Sequence, residues 1–327
     1  MNREDIIQAL LDRILQSDWH WLKYHFSHYA KGVEHFLCAA IVDSCHEIES
    51  QIPGFSEDFS KRLGALSGRE KYLPHYEQII QLLSEMYVIR QLISAFGGEA
   101  DIEHEPTAKG SKKNPEIGIR MADRSVYFEV KCREFIKHHN LRGGAEIELP
   151  SRMEGVLEQA SRLSVDPQKI VLPRDNVVKD FLISANQKFL GFKVQEPDSL
   201  CILVVVWDDY IYEPISSLAN PSSGLLTNAS FYREDGDVVS FGNIDAILVV
   251  RHSHHIVAAT KDRPPADCLA DALDWGRRGK VLPKALIPVD ELAQEDSDFL
   301  CDRLEAERIE DLQDVADYRP QQFVLRI

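Results

Sequence analysis

The chain has 327 residues, 44% of them apolar, and a formal net charge of −16. That is enough apolar material for a packed interior with helical additions, and the acidic balance excludes a surface that coats nucleic acid by charge alone, so any such contact has to be local. The longest apolar run is 200–207, far short of the roughly 18 residues that span a bilayer, and the first residues form no signal-peptide hydrophobic stretch.

The six cysteines include no C-x-x-C pair and read as reduced core thiols of a cytoplasmic protein. Residues 1–75 read as a helical N-terminal region, with helices over 6–15 and 33–48, an aromatic segment over 19–29 and a break at Pro53-Gly54. From 76 a core begins. Over 78–96, Leu82, Leu83, Met86, Ile89, Leu92, Ile93 and Phe96 form the stripe of a helix packed on a sheet. Glu85 falls inside that stripe. It either finds a partner, in a metal or in Lys131, or reaches solvent along its own methylenes.

Gly97-Gly98 stops the helix and a strand over 99–103 follows. Residues 115–131 read PEIGIRMADRSVYFEVK. Ile117, Ile119 and Met121 alternate with Glu116, Gly118 and Arg120. After the polar turn 122–125, Val126, Phe128, Val130 and Cys132 alternate with Tyr127, Glu129, Lys131 and Arg133. Two strands joined so closely are antiparallel neighbours, and Glu116 can converge with the Glu129/Lys131 pair. Two carboxylates and a backbone carbonyl, here that of Val130, suit Mg2+ or Mn2+ and leave positions for water and phosphate. An adjacent ammonium orients the water or steadies developing charge. Lys131 is the only one of the sixteen lysines with Asp or Glu two residues before it. The plainer reading is a Glu/Lys pair guarding the wet face of an edge strand.

Residues 135–173 read as an insertion with a helix near 153–163. A helix over 177–190 leads to the continuous apolar run 200–207, and 246–250 is a second such run; both are strands covered on two faces. The tail, 263–327, reads as an acidic extension, helical over 298–315. His252-Ser253-His254-His255, and His25 and His28 with His20, lack the Cys or carboxylate spacing of a zinc site. No P-loop, G-x-G-x-x-G or G-x-S-x-G occurs.

A helix carrying Glu85, the Pro115-Glu116 strand and the Glu129-Val130-Lys131 strand, in that order, resemble the PD-(D/E)xK, or restriction-endonuclease-like, nuclease superfamily over roughly 76–262. The usual Asp of that pattern is Glu116 here. The resemblance implies an α/β fold with a mixed central sheet flanked by helices, plus the helical N-terminal region and the C-terminal extension. It also implies a Mg2+- or Mn2+-dependent nuclease, expected to be a DNA endonuclease. Glu116, Glu129, the Val130 carbonyl and Glu85 would serve the metal, and Lys131 the attacking water. Between Thr107 and Arg142 nine basic residues face four acidic ones. By the resemblance, Lys109, Lys112, Lys113 and Arg133 lie where a substrate backbone would pass, and Gln187 or Lys188, on the helix before the apolar strand, would be aimed at the site. The alternative is a non-catalytic module of this fold that binds a protein or nucleic acid. A homo-oligomer or a protein partner would use the helical ends, and no membrane is involved.

Overall fold

The structure is a computed structural model and describes residues 1–312 apart from 34, 68–71, 110–112, 135, 137–146, 149–161, 163–169, 172–174, 209–211, 222–223, 228–238 and 267. The helix expected near 153–163 and the end of the tail fall outside these residues, as does Lys112.

Four helices open the chain: α1 (Arg3–Gln16), α2 (Lys23–Tyr29), α3 (Phe36–Glu49) and α4 (Phe55–Ala65). Asn2 starts α1 through a reciprocal capping box with Asp5, which satisfies two otherwise orphaned N–H groups. The long helix α5 (Leu73–Phe96) carries Pro74 in its first turn and stops at Gly97, where a Cβ would come within 2.6 Å of the Ile93 carbonyl. Although α5 is apolar enough to cross a membrane by composition, it is mostly buried among other elements.

The central sheet, in the order β1 (Asp101–His104), β2 (Ile117–Arg120), β3 (Ser125–Cys132), β6 (Leu200–Trp207), β7 (Ala246–Arg251), β8 (Ala285–Pro288), β9 (Glu307–Arg308), is mixed. Strand β2 is antiparallel to both β1 and β3, β6 and β7 continue parallel to β3, β8 is antiparallel to β7, and β9 is parallel to β8. A two-stranded ribbon, β4 (Ile147–Glu148) with β5 (Ile170–Val171), stands apart. Among the described residues, α6 (Asp175–Gln195), α7 (Tyr212–Ala219), α8 (Ser253–Thr260) and α9 (Gln294–Arg303) complete the helices, followed by the 3-10 turn η1 (Ile309–Leu312). The chain is thus an α/β protein with helices on both faces of a mixed sheet.

Period-2 alternation divides the core. Ile117, Ile119, Val126, Phe128, Val130, Ile202 and Val204 belong to the core shared with α5, while Tyr127, Cys201, Leu203, Val205 and Trp207 belong to the core shared with α6 and α7. Each such buried Val, Leu or Phe contributes about 1.5–3 kcal/mol relative to exposure. The N-terminal helices share the first of these cores with the sheet. The tail departs from the helix expected over 298–315. Glu305 is left-handed (φ 51), and the Ala306 N–H reaches back to the Cys301 carbonyl, ending α9 so that β9 can join the sheet.

Candidate functional site

Strand β3 is an interior strand, paired with β2 on one side and β6 on the other, so guarding a sheet edge is not available to Glu129 and Lys131. The same alternation that sends Phe128 and Val130 under α5 sends Glu129 beneath α6. Its side chain is 0% exposed. An unpaired carboxylate there would cost several kcal/mol, and two ammoniums prevent that. Lys131 Nζ lies 2.7 Å from Oε1, and Lys188 Nζ lies 2.7 Å from Oε1 and 2.8 Å from Oε2. Lys188 reaches the strand because it flanks the buried α6 row Val178, Leu182, Ala185, Phe189 and Phe192. It is Lys188, not Gln187, that meets the carboxylates. Gln187 is exposed and accepts a hydrogen bond from Lys113.

Glu116 sits at the mouth of β2, where its N–H donates to the Phe128 carbonyl at 2.9 Å. The neighbouring Gly118 leaves room for the Tyr127 ring across the ladder, since a Cβ would approach Tyr127 Cε1 to 3.1 Å. The Glu116 carboxylate is 16% exposed and lies 3.8 Å from Lys188 Nζ, so one ammonium touches both acids. Burial, and then the nearby charges of Glu85 and Glu129, push its pKa up to about 7. Glu116 thus feels the charges of carboxylates carried by two other elements, α5 and β3.

Glu85 stays half-buried, and its partner is Arg62 of α4, whose Nη2 is 2.8 Å away; the compensation expected from Lys131 comes instead from a residue the sequence reading did not single out. On the outer side of Glu116, His104 and Glu105 supply a second donor set. His104, Glu105 and Glu116 each offer a ligand atom, all within 4.8 Å of one another. Glu105 is held left-handed (φ 49), with its N–H on the Glu116 carbonyl, a conformation uncommon for a residue with a side chain. The sequence signal was the run Glu103-His104-Glu105 at the end of a strand antiparallel to the Glu116 strand, legible only once the register was known.

The other expected residues fall as follows. Val130 is buried beside β6. Lys109 and Lys113 are exposed, and the Lys109 carbonyl accepts from Gln195 of α6. Arg133 is buried rather than offered to solvent, its guanidinium 5.1 Å from the Trp207 ring. The histidine groups are absorbed by packing. His20 bonds the Leu63 carbonyl, His25 meets His35 edge-on, and His252 bonds the Ala272 carbonyl.

Comparison of the chain with protein-family models, curated proteins and solved structures gives no match.

Proposed function

We propose that the chain is a divalent-metal-dependent nuclease with a restriction-endonuclease-like core, acting on DNA in the cytoplasm. The observation that carries this reading is the convergence on Lys188 of carboxylates from two adjacent strands, 2.7 Å to Glu129 and 3.8 Å to Glu116, with Lys131 at 2.7 Å from Glu129. The element order α5, β1, β2, β3, then α6 and β6 after the separate β4–β5 ribbon, with β6 parallel beside β3, supports it.

The residues fit a small hard cation. Glu116 and Glu129 are oxygen donors in a mostly dry setting, and the pKa of Glu116, raised first by burial and then by the charges of Glu85 and Glu129, is one that a bound cation would bring down. Glu116, Glu129 and the Val130 carbonyl would hold Mg2+ or Mn2+, with Glu85 adding charge from α5. The imidazole of His104 beside Glu116 favours Mn2+ of the two. When bound, such an ion supplies Lewis-acid polarisation of a phosphoryl oxygen and a more acidic water.

The chain's own groups do the rest. Lys131 orients the attacking water or donates to the developing anionic oxygen, and Lys188 holds the two carboxylates in register. Lys113, tied to Gln187 on the same helix as Lys188, would meet the backbone phosphates. One observation favours a second reading, a non-catalytic binding module of the same fold: Glu129 is already neutralised by two lysines, which a static structural network would also show.

Incubation with linear and closed circular DNA and with RNA in Mn2+ separates the readings. Wild type is expected to nick closed circles and Lys131→Ala to be far slower. Intact substrates throughout, or equal rates in both proteins, would leave the module.

A further inference from the structure

Beside the carboxylates, between the end of α4 and the first half of α5, lies an open cleft of about 310 Å³ lined by Arg62, Leu66, Gln78, Gln81, Leu82 and Glu85. Gln78, Gln81, Leu82 and Glu85 stand at i, i+3, i+4 and i+7 of α5 and therefore share one helix face. The cleft reaches the site through Glu85, whose charge acts on Glu116. Its volume is at the lower end of the roughly 300–1,000 Å³ typical of small-ligand sites, too small for a duplex.

The lining specifies the chemistry of the occupant. Arg62 is paired with Glu85 at 2.8 Å, so the wall carries no net charge to attract a phosphate, and Glu85 would repel one. The side chains of Gln78 and Gln81 make no hydrogen bond among the described residues, leaving two carboxamides that can each donate and accept in one plane. Leu66 and Leu82 supply apolar surface. Donor and acceptor edges beside apolar surface match a nucleobase, which is neutral, planar and polar at its rim.

We propose that this cleft receives one unstacked nucleobase of the substrate strand next to the scissile phosphate, and that Gln78 and Gln81 read its edge. The inference rests on the nuclease reading for the identity of the strand. It requires that the base leave its stack, which costs least in single-stranded or mismatched DNA.

The test sequences the cut ends produced from a randomised single-stranded DNA pool by wild type, Gln78→Ala and Gln81→Ala. Wild type is expected to favour one base at a position flanking the cut by roughly tenfold, and each variant to reduce that preference to within about twofold while still cutting. A wild-type preference that survives in both variants, or no preference at that position, overturns the proposal and leaves the nuclease standing. If wild type cuts nothing, saturation-transfer NMR with the four deoxynucleosides in EDTA decides the cleft separately. Signal on base protons that is lost in both variants supports it, and no signal, or signal unchanged in the variants, overturns it.

Discussion

The carboxylates beside β3 and the histidines after β7 both gather titratable groups at the parallel strands that flank β6, yet their charges are settled in opposite ways. His252 stacks on Tyr87 with ring centroids 3.8 Å apart and planes 9° from parallel, and its Nε2 is 2.7 Å from the Ala272 carbonyl. Burial drives its pKa well below the usual histidine range, and the cavity it shares with His254, His255 and Lys284 is about 10 Å³, room for one water. The carboxylate cluster keeps Glu116, Lys131 and Lys188 partly open to solvent, and leaves Glu116 near neutrality in pKa. Polar groups that packing satisfies are structural. Polar groups that remain mutually unfavourable, and reachable, can do chemistry.

The sharpest way to break this contrast is Glu129→Gln, which keeps the shape and removes the charge shared by Lys131 and Lys188. Cleavage should fall below detection in a plasmid assay while circular dichroism stays native; retained cutting would make the cluster a structural counterpart of the histidine pocket. Lys131→Ala is expected to lower turnover by roughly 10²- to 10³-fold, the loss typical of one preorganised electrostatic or proton-transfer group, with metal binding kept or tightened. Steady-state kinetics beside calorimetry would show both.

The pH dependence follows from Glu116, whose pKa stands at about 7 against 4.5 for an ordinary glutamate. Because a proton competes with a cation for this carboxylate, Mn2+ affinity should rise about tenfold per pH unit below 7 and level off above it. Folding stability should move the other way. The folded state holds the proton more tightly than the unfolded chain, so this contribution is complete below about 4.5 and is lost as pH rises through about 7. Glu116→Gln should flatten that decline, worth about 1–3 kcal/mol, in denaturant titrations from acidic to neutral pH. The smallest effect on activity belongs to the other region. His252→Ala should cost about 1–3 kcal/mol of stability through a lost stack and an orphaned carbonyl, yet leave the cleavage rate per folded molecule unchanged.

How legible this was in the sequence varied with the range of the interaction. The alternation of 115–133 and the stripe of α5 depend on local periodicity, and both strands and the helix stand where that periodicity places them. The continuous apolar runs likewise became the central parallel strands. What escaped was long-range. Arg62 meets Glu85 across two helices, His104 and Glu105 reach Glu116 only through the β1–β2 register, and β8 and β9 join a sheet whose other strands have all ended by Arg251, well before β8 begins at Ala285. Between Gln187 and Lys188 spacing had no power to choose; the phase of α6 against Phe189 and Phe192 did.

A nuclease built on these strands requires that Glu116 and Glu129 share a cation. Calorimetric titration with Mn2+ at about pH 8, where Glu116 is ionised, should reveal a site in wild type that is lost in Glu116→Gln and in Glu129→Gln and kept in His252→Ala. No binding in wild type, or binding undiminished in either carboxylate variant, would contradict it.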